Sequence, residues 1–151
     1  MEVIKVGTDG GCRGNQKDNN VGGWGVVLKY KGHVKELYGG ERNTTNNIQE
    51  LKAVINALKT IKTTKIPIRI YSDSAYVING ITQWVKGWKK KGWKKSDGKK
   101  VENVELWKEL DKLVLLQNDI QFVKVKGHAG IEINERADQL ANLAMDEVEN
   151  E

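Results

Sequence analysis

The chain has 151 residues, 38% of them hydrophobic and 30% charged, with a net charge of +5 and a pI near 9.2. This length suits one domain with its own core. A single cysteine, Cys12, excludes an internal disulfide and suits a reducing compartment. No apolar run approaches the ~18 residues of a membrane-spanning helix, and the first residues lack the apolar core of a secretory signal. We therefore expect a cytoplasmic protein.

The pattern of apolar residues predicts strands and helices in the order βββ-α-β-αα-α-β-α. Runs rich in Val and Ile predict strands, whereas apolar residues at helical spacing predict helices. The predicted strands are residues 2–9, 22–30, 33–41, 66–73 and 120–126. The predicted helices lie within residues 44–61, 74–80, 81–93, 103–116 and 132–147. A meander of three strands followed by strands separated by helices predicts an α/β fold, a mixed sheet with helices on its faces.

Local signals set the ends of several elements. Thr44 or Thr45 can cap the first long helix. Gly80 is a stop signal for the short helix after the fourth strand. Lys31 and Gly32 form the turn between the second and third strands.

The positive charge of the chain is concentrated in one segment. Residues 86–100 contain eight lysines and one acid, and the other charged side chains are 17 basic and 19 acidic. Trp84, Trp88 and Trp93 are interleaved with these lysines; partial burial in the core explains Trp84 better than ligand binding does. Eight neighbouring like charges repel one another, so contact with the phosphates of a polyanion explains the lysines better than a structural role. A nuclear-localisation signal is a weaker explanation.

Four acids occupy positions that invite a functional explanation. Asp9 ends the first predicted strand and precedes two glycines, and Asp73 ends the buried fourth strand. Glu50 and Asp138 lie on or beside the apolar faces of their helices. Each has a structural alternative when taken alone: a turn residue at Asp9, a helix cap at Asp73, a lysine partner for Glu50, and solvent or a nearby arginine for Asp138.

If the four carboxylates meet, they need counter-charge. Two like charges ~4 Å apart cost about 4 kcal/mol at an effective dielectric constant near 20. Two divalent cations would remove this repulsion, and carboxylate oxygens select hard ions such as Mg²⁺ or Mn²⁺. The sequence has no cluster of Cys and His that would select zinc. Paired metals held by carboxylates are one means of in-line displacement at phosphorus.

The motifs of the chain resemble those of the type 1 ribonucleases H over nearly its whole length. They are TDGGCRGN, TTNNIQEL, YSDSAYVINGITQWVKGWKKKGW, VENVELW and VKGHAG…NERADQLA, in family order. They are most similar to bacterial members with a lysine-rich protrusion. The resemblance implies the ribonuclease H fold, a five-stranded mixed sheet in which a meander of three antiparallel strands is followed by two parallel strands. It implies one catalytic domain over residues 1–147, with the protrusion at about 84–100 and an acidic tail at 148–151.

The resemblance also implies an activity, which is sequence-independent hydrolysis of the RNA strand of RNA/DNA hybrids by a monomer. The expected products carry 5′-phosphate and 3′-hydroxyl ends. The expected cofactor is two Mg²⁺ ions, with Mn²⁺ as an alternative. In the family's mechanism Asp9 bridges the ions, Asp138 holds the ion beside the attacking water, and Glu50 and Asp73 hold the ion beside the leaving 3′ oxygen. His128 matches the family's mobile histidine, although residue type alone would make it a surface histidine.

The same resemblance assigns residues to the two strands of the hybrid. Asn15, Asn46 and Asn47, with backbone groups around Gly11 and Cys12, are expected to read the 2′-hydroxyls that separate RNA from DNA. The residues expected on the DNA strand are Thr45 and Asn103 in a phosphate pocket, Trp88 and Ser96 on the protrusion, and the lysines Lys89, Lys90, Lys91 and Lys94.

The chain departs from the family in three places. The loop after Asn15 is longer and more polar than in the commonest bacterial form. Ala75 replaces a larger residue that often touches substrate, and Asn43 stands where an Arg often helps hold the DNA phosphate. We expect no separate hybrid-binding domain before the core, because the first predicted strand begins at residue 2.

Two other functions compete with hybrid cleavage. One is a nucleic-acid binding module without activity, which the complete set of four acids argues against. The other is a nuclease or integrase-like relative acting on DNA. The paired asparagines Asn46 and Asn47 and the lysine protrusion argue against this second alternative.

Overall fold

Five strands form one mixed sheet in the computed structural model, which describes residues 2–14, 19–126 and 131–151. The strands are β1 (Ile4–Arg13), β2 (Val21–Tyr30), β3 (His33–Arg42), β4 (Ile68–Ser72) and β5 (Ile120–Lys124). Their order across the sheet is β3-β2-β1-β4-β5. β1, β2 and β3 pair in antiparallel fashion, whereas β4 is parallel to both β1 and β5. The predicted meander and the two parallel strands are confirmed.

Helices cover both faces of the sheet. They are α1 (Asn46–Thr60), α2 (Ala75–Asn79), α3 (Val85–Lys90), α4 (Val104–Leu115) and α5 (Glu132–Glu149). α5 packs across β1, β2 and β3 on one face, while α1 packs on β1 and β2 on the other and α4 packs against α1. Within the described ranges, no helix has the length and apolar character needed to cross a membrane.

The largest part of the core lies between the sheet and the layer of α1 and α4. Val6 and Ile70 on the sheet, Leu51 on α1, and Trp107 and Leu110 on α4 are fully buried there. A second, smaller cluster lies under α5 and consists of Val27, Ile133, Ala137 and Leu140. Because β1 lies near the middle of the sheet, helices from both faces reach its carboxyl-terminal half.

β1 is longer than its predicted span and changes the setting of Asp9. The strand continues to Arg13 because residues 9–13 keep pairing with β2: Asp9 lies opposite Gly25, and Arg13 lies opposite Val21. The prediction that the strand ends at Asp9 is therefore wrong. Asp9 is held in the interior of a paired strand, where its backbone is fixed.

Gly80 caps the end of α2, as predicted, but the helical path of the backbone continues beyond it. It adopts right-handed helical angles, and one π-helical turn, Gly80–Trp84, joins α2 to α3. A Cβ atom at this position would lie 1.9 Å from the ring of Trp107. Gly80 is therefore explained by the close approach of a buried indole, which a sequence pattern of helix stops does not reveal.

The ends of two other helices differ from expectation. The basic helix ends at Lys90 rather than near residue 93, because Gly92 and Trp93 both have positive φ angles, 66° and 65°. The last helix continues to Glu149, and Val148 is buried beside Val21 and Met145. At the start of α1, Thr45 is the cap: its hydroxyl accepts a hydrogen bond from the backbone N–H of Ile48.

Candidate active site

Four acids, three on separate elements and one directly after β4, line one cleft of about 350 Å³. Asp9 comes from β1, Glu50 from α1, Asp73 follows β4, and Asp138 comes from α5. Asp9, Glu50 and Asp73 each offer a carboxylate oxygen, and these three atoms lie within 4.8 Å of one another. Asp138 lines the same cleft, close enough to Asp9 for the two carboxyl groups to share a hydrogen bond when one of them is protonated. The four candidate acids are thus brought together.

A close approach between β1 and α1 sets the position of Glu50 beside Asp9. A Cβ atom at Gly10 would lie 2.5 Å from the backbone of Gln49 and Glu50, so only glycine allows this contact. Gly10 therefore accommodates α1, and both Gly10 and Gly11 line the cleft.

The structural alternative for Asp73 is not supported. The cap of α2 is Ser74, whose hydroxyl accepts a hydrogen bond of 3.2 Å from the backbone N–H of Val77. The Ser74 backbone N–H in turn donates to the hydroxyl of Ser72. Asp73 is left to face the cleft.

The lysine partner considered for Glu50 is also not found in the described part of the chain. One carboxylate oxygen of Glu50, Oε1, is buried there without a hydrogen-bond partner. A buried carboxylate oxygen without a partner is costly. Its position beside two other carboxylates makes a cation the group that would satisfy it.

The proximity of the acids changes their proton affinity. Burial raises the pKa of Asp9 to about 8, with further increases from its hydrogen bond to Asp138 and the charge of Asp73. Burial likewise raises the pKa of Glu50 to about 9, aided by the charges of Asp9 and Asp73. Without a cation, the site therefore retains protons at neutral pH.

The donor set fits divalent cations. It consists of carboxylate oxygens, the ligands that Mg²⁺ and Mn²⁺ prefer, and it includes an unpartnered buried oxygen of Glu50. Asp9 belongs to the group of three carboxylates with Glu50 and Asp73, and it is also close to Asp138. Two ions that share Asp9 as a ligand would fit this arrangement.

We expect Asp9→Asn and Asp73→Asn to stabilise the metal-free protein. Each removes like-charge repulsion, and each kcal/mol removed should raise the melting temperature by about 2–4 °C. The raised pKa of Asp9 and of Glu50 also fixes the sign of the pH dependence. The protonated carboxyl groups of Asp9 and Glu50 contribute stability that is fully present below their pKa of about 4 in the unfolded chain. This contribution is lost as the pH rises through their folded-state pKa values of about 8 and 9.

Thermal melts in EDTA from pH 5 to 9.5, with and without added Mg²⁺, measure both effects. Asp9→Asn should show a shallower loss of stability toward high pH and a smaller gain from Mg²⁺. An unchanged or lower metal-free midpoint in both variants would contradict the clustering of these acids.

A second cleft of about 310 Å³ adjoins the first and contains the predicted nucleic-acid-binding residues near the start of α1. It is lined by Cys12, Thr44, Thr45, Asn46, Asn47, Glu102 and Asn103. Cys12 and Asn46 also line the acidic cleft, so the two clefts form one continuous surface. The only formal charge on the described lining of this second cleft is negative, on Glu102.

The protrusion is anchored by an aromatic cluster. Trp88 packs against Trp84, Trp93 and Trp107, with ring centroids 5.9, 6.5 and 5.5 Å away. Trp84, expected to be partly buried in the core, lies at the edge of this cluster with 37% of its surface exposed. Because Trp88 is half-buried, its replacement by alanine would remove packing as well as any stacking on a base or sugar.

The lysines of the protrusion are not equivalent. Lys89 forms an ion pair of 3.0 Å with Asp111 on α4, and the Asp111 side chain is only 15% exposed. Lys90, Lys91 and Lys94 are exposed to solvent, as is Ser96. Lys89 therefore ties the protrusion to the body of the protein, which the sequence did not indicate.

Two predicted residues, Asn15 and His128, lie outside the described residues. Sequence analysis also missed several residues around the clefts. Arg13, at the end of β1, donates hydrogen bonds to Asp146, Glu149 and Asn142 on α5 and so joins this helix to the strand of Asp9. The acids Asp146 and Glu149 near the C-terminus were a signal for an arginine partner. Sequence analysis did not identify Arg13 as that partner, because it ended β1 at Asp9.

Comparison with known proteins places this arrangement in context. A family model described as RNase H matches residues 1–146. The chain is 50% identical over 148 residues to a ribonuclease H from Clostridium botulinum, covering 97% of this chain and 98% of the relative. It is 53% identical over 146 residues to a ribonuclease H from Methylobacillus flagellatus, covering 97% of this chain and 93% of the relative.

A solved structure is similar over the same region. A type 1 RNase H with the type 2 active-site motif superposes with a TM-score of 0.83 at 33% identity, covering 97% of this chain and 74% of that chain. The region matched by the family model includes every residue that lines the acidic cleft.

Proposed function

The chain belongs to the ribonuclease H family, and on that basis we propose that it is a monomeric endonuclease that hydrolyses the RNA strand of RNA/DNA hybrids. The observation that supports this function best is the convergence of four carboxylates from distant parts of the chain in one open cleft. Cleavage is independent of base sequence and leaves 5′-phosphate and 3′-hydroxyl ends. The continuous surface beside the acids receives the duplex.

Asp9, Glu50, Asp73 and Asp138 would hold two Mg²⁺ ions, with Asp9 as the shared ligand. When bound to carboxylates, such ions neutralise developing charge and lower the pKa of water during in-line displacement at phosphorus. The chain's own contribution is to fix the four acids on paired strands and packed helices, so that little reorganisation is needed. His128 assists proton movement or product release.

The second cleft provides selectivity for a hybrid. Asn46 and Asn47, with Asn15 and the backbone near Gly11 and Cys12, would hydrogen-bond to 2′-hydroxyls, which DNA lacks. Thr45 and Asn103 would hold a phosphate of the DNA strand. No Lys or Arg side chain is among the described residues that line this cleft. The neutral Thr and Asn side chains there would form hydrogen bonds with particular groups of the hybrid rather than attract phosphates in general.

A cleavage assay on three matched duplexes tests the proposal. End-labelled RNA/DNA, RNA/RNA and DNA/DNA of one sequence are incubated with the protein and Mg²⁺, and the ends of the products are determined. We expect cleavage of the RNA strand in the hybrid alone. Cleavage of DNA/DNA would favour a DNA nuclease, and binding without cleavage of any duplex would favour an inactive binding module.

We expect the exposed lysines of the protrusion to act through phosphates. Replacement of Lys90, Lys91 and Lys94 by alanine should reduce the log–log salt slope of hybrid binding by about one or two units, since each phosphate contact contributes about 0.9 on a B-form duplex. KM should rise more than kcat falls, because these contacts are alike in the ground and transition states.

Lys89→Ala provides the matched control. Lys89 is already paired with Asp111. Its removal should therefore change the salt slope by less than the contribution of one phosphate contact. Binding of a hybrid across a salt series compares the variants. If the triple variant keeps the parental slope and affinity, the protrusion is a solvated surface rather than a binding surface.

A further inference from the structure

The segment after the long polar loop is fastened to the segment before α1. The backbone N–H of Asn19 donates to the Asn43 side chain at 2.6 Å, and the Asn43 N–H donates to the Asn20 carbonyl at 3.0 Å. Regular pairing of β2 and β3 ends where Val21 lies opposite Arg42. These bonds continue the contact two residues beyond the end of the ladder.

The side chain of Asn20 makes a two-point contact with the backbone of Thr44. Its Nδ2 donates to the Thr44 carbonyl at 2.9 Å, and its Oδ1 accepts from the Thr44 N–H at 2.9 Å. Asn20 and Thr44 are each only 6% exposed. Water therefore cannot readily replace the Asn20 amide, and its loss would leave two buried backbone groups unpaired.

Thr44 is also fixed through its side chain. Gln49, which has no exposed surface, donates from Nε2 to the Thr44 hydroxyl at 2.8 Å and to Glu41 at 2.9 Å. The thiol of Cys12 approaches the Thr44 carbonyl at 3.8 Å. Thr44 is thus held at its N–H, its carbonyl and its hydroxyl.

Thr44 directly precedes the residues assigned to hybrid recognition. Thr45 caps α1, and Asn46 and Asn47 begin that helix, and all of them line the second cleft with Thr44. A shift of the Thr44 backbone would therefore move the three neighbouring polar side chains relative to the acidic cleft. Recognition by short side chains tolerates such a shift poorly, because hydrogen bonds weaken steeply with distance and angle.

We propose that Asn20 is a positioning residue for hybrid binding, acting through the Thr44–Asn47 segment. This inference rests on the proposed function, since it assigns the segment to contact with the hybrid. Asn20 itself is buried, lines neither cleft, and need not touch the substrate. Its effect should appear in KM and in the Kd for the hybrid, with kcat largely retained.

The test compares Asn20→Ala with a destabilised control. Loss of the two-point contact should raise KM and Kd for a hybrid about tenfold, with kcat within about twofold of the parent. Ile68→Val and Leu58→Ala each truncate a buried side chain outside both clefts. The control is whichever of these two variants has a melting temperature that matches that of Asn20→Ala. The control should leave KM and Kd unchanged.

A double-mutant cycle separates positioning from general stabilisation. If Asn20 acts through the Thr44–Asn47 segment, the combined Asn20→Ala and Asn47→Ala changes should raise Kd by less than the product of the separate effects. Multiplicative effects, or an unchanged Kd in Asn20→Ala, would overturn the inference. If Asn20→Ala does not fold, Asn20→Asp is measured instead, because it keeps the acceptor for the Thr44 N–H but lacks the donor.

Failure of the proposed function gives a different result. Hybrid Kd is measured in EDTA, so it does not depend on cleavage. A wild-type chain that binds hybrid without cleaving it would overturn the endonuclease activity, while a weaker Kd in Asn20→Ala would still support the positioning role.

Discussion

Replacement of Asp9 by asparagine is expected to abolish hydrolysis of a hybrid while leaving hybrid binding within a few-fold of the parent. Asparagine preserves the shape of the side chain but removes the charge that Asp9 would offer to cations held with Glu50, Asp73 and Asp138. Metal assistance is worth several kcal/mol of transition-state stabilisation, so kcat should fall by at least about 10³-fold. Affinity should persist, because the proposed duplex contacts lie on the protrusion and in the second cleft.

Single-turnover cleavage at saturating Mg²⁺ and hybrid binding in EDTA measure the two effects separately. Asp119→Asn is the matched control, because Asp119 pairs with Arg69 beside β5, outside both clefts. It should keep parental activity. Near-normal turnover in Asp9→Asn would remove Asp9 from the catalytic site and with it the shared-ligand interpretation.

The sequence was sufficient to predict the strands along the chain and the inward-facing positions of two of the four acids, for physical reasons. Runs rich in Val and Ile marked the strands, and acids beside apolar stripes at Glu50 and Asp138 indicated inward-facing carboxylates. The family resemblance added their common location. The close approach of α1 to β1 at Gly10 is seen only in the structure, because no spacing of apolar residues predicts it.

The errors in the sequence-based predictions have a common origin in tertiary contacts. Gly80 was interpreted only as a helix stop, but it is also required by the ring of Trp107, which is 27 residues away in sequence. Lys89 was grouped with the other lysines, but Asp111 on another helix neutralises it. Asn20 resembled an ordinary loop residue, because its partner Thr44 is adjacent only once β2 and β3 have paired.

Glu50→Gln is expected to leave almost no hydrolysis, whereas His128→Ala should retain measurable activity. Glu50 belongs to the tight group of three carboxylates, and glutamine cannot supply its charge. An assisting acid or base contributes roughly 10²–10⁴-fold. His128→Ala should therefore lose less activity than a variant that impairs metal binding itself. Equal losses in the two variants would contradict this ranking.

The raised pKa of Glu50, about 9 in the metal-free protein, gives a second way to distinguish these variants. Binding of a divalent ion to this carboxylate requires release of its proton, so the apparent Mg²⁺ affinity should increase as the pH rises toward 9. Glu50→Gln removes this proton and should make the pH dependence shallower, leaving the proton released from Asp9, while His128→Ala should retain the full dependence. Calorimetric titration with Mg²⁺ at pH 6.5, 7.5 and 8.5, in two buffers of different ionisation enthalpy, reports the protons released. Parental proton release in Glu50→Gln would show that Glu50 is not the group that deprotonates, and its assignment as a metal ligand would then lose its electrostatic basis.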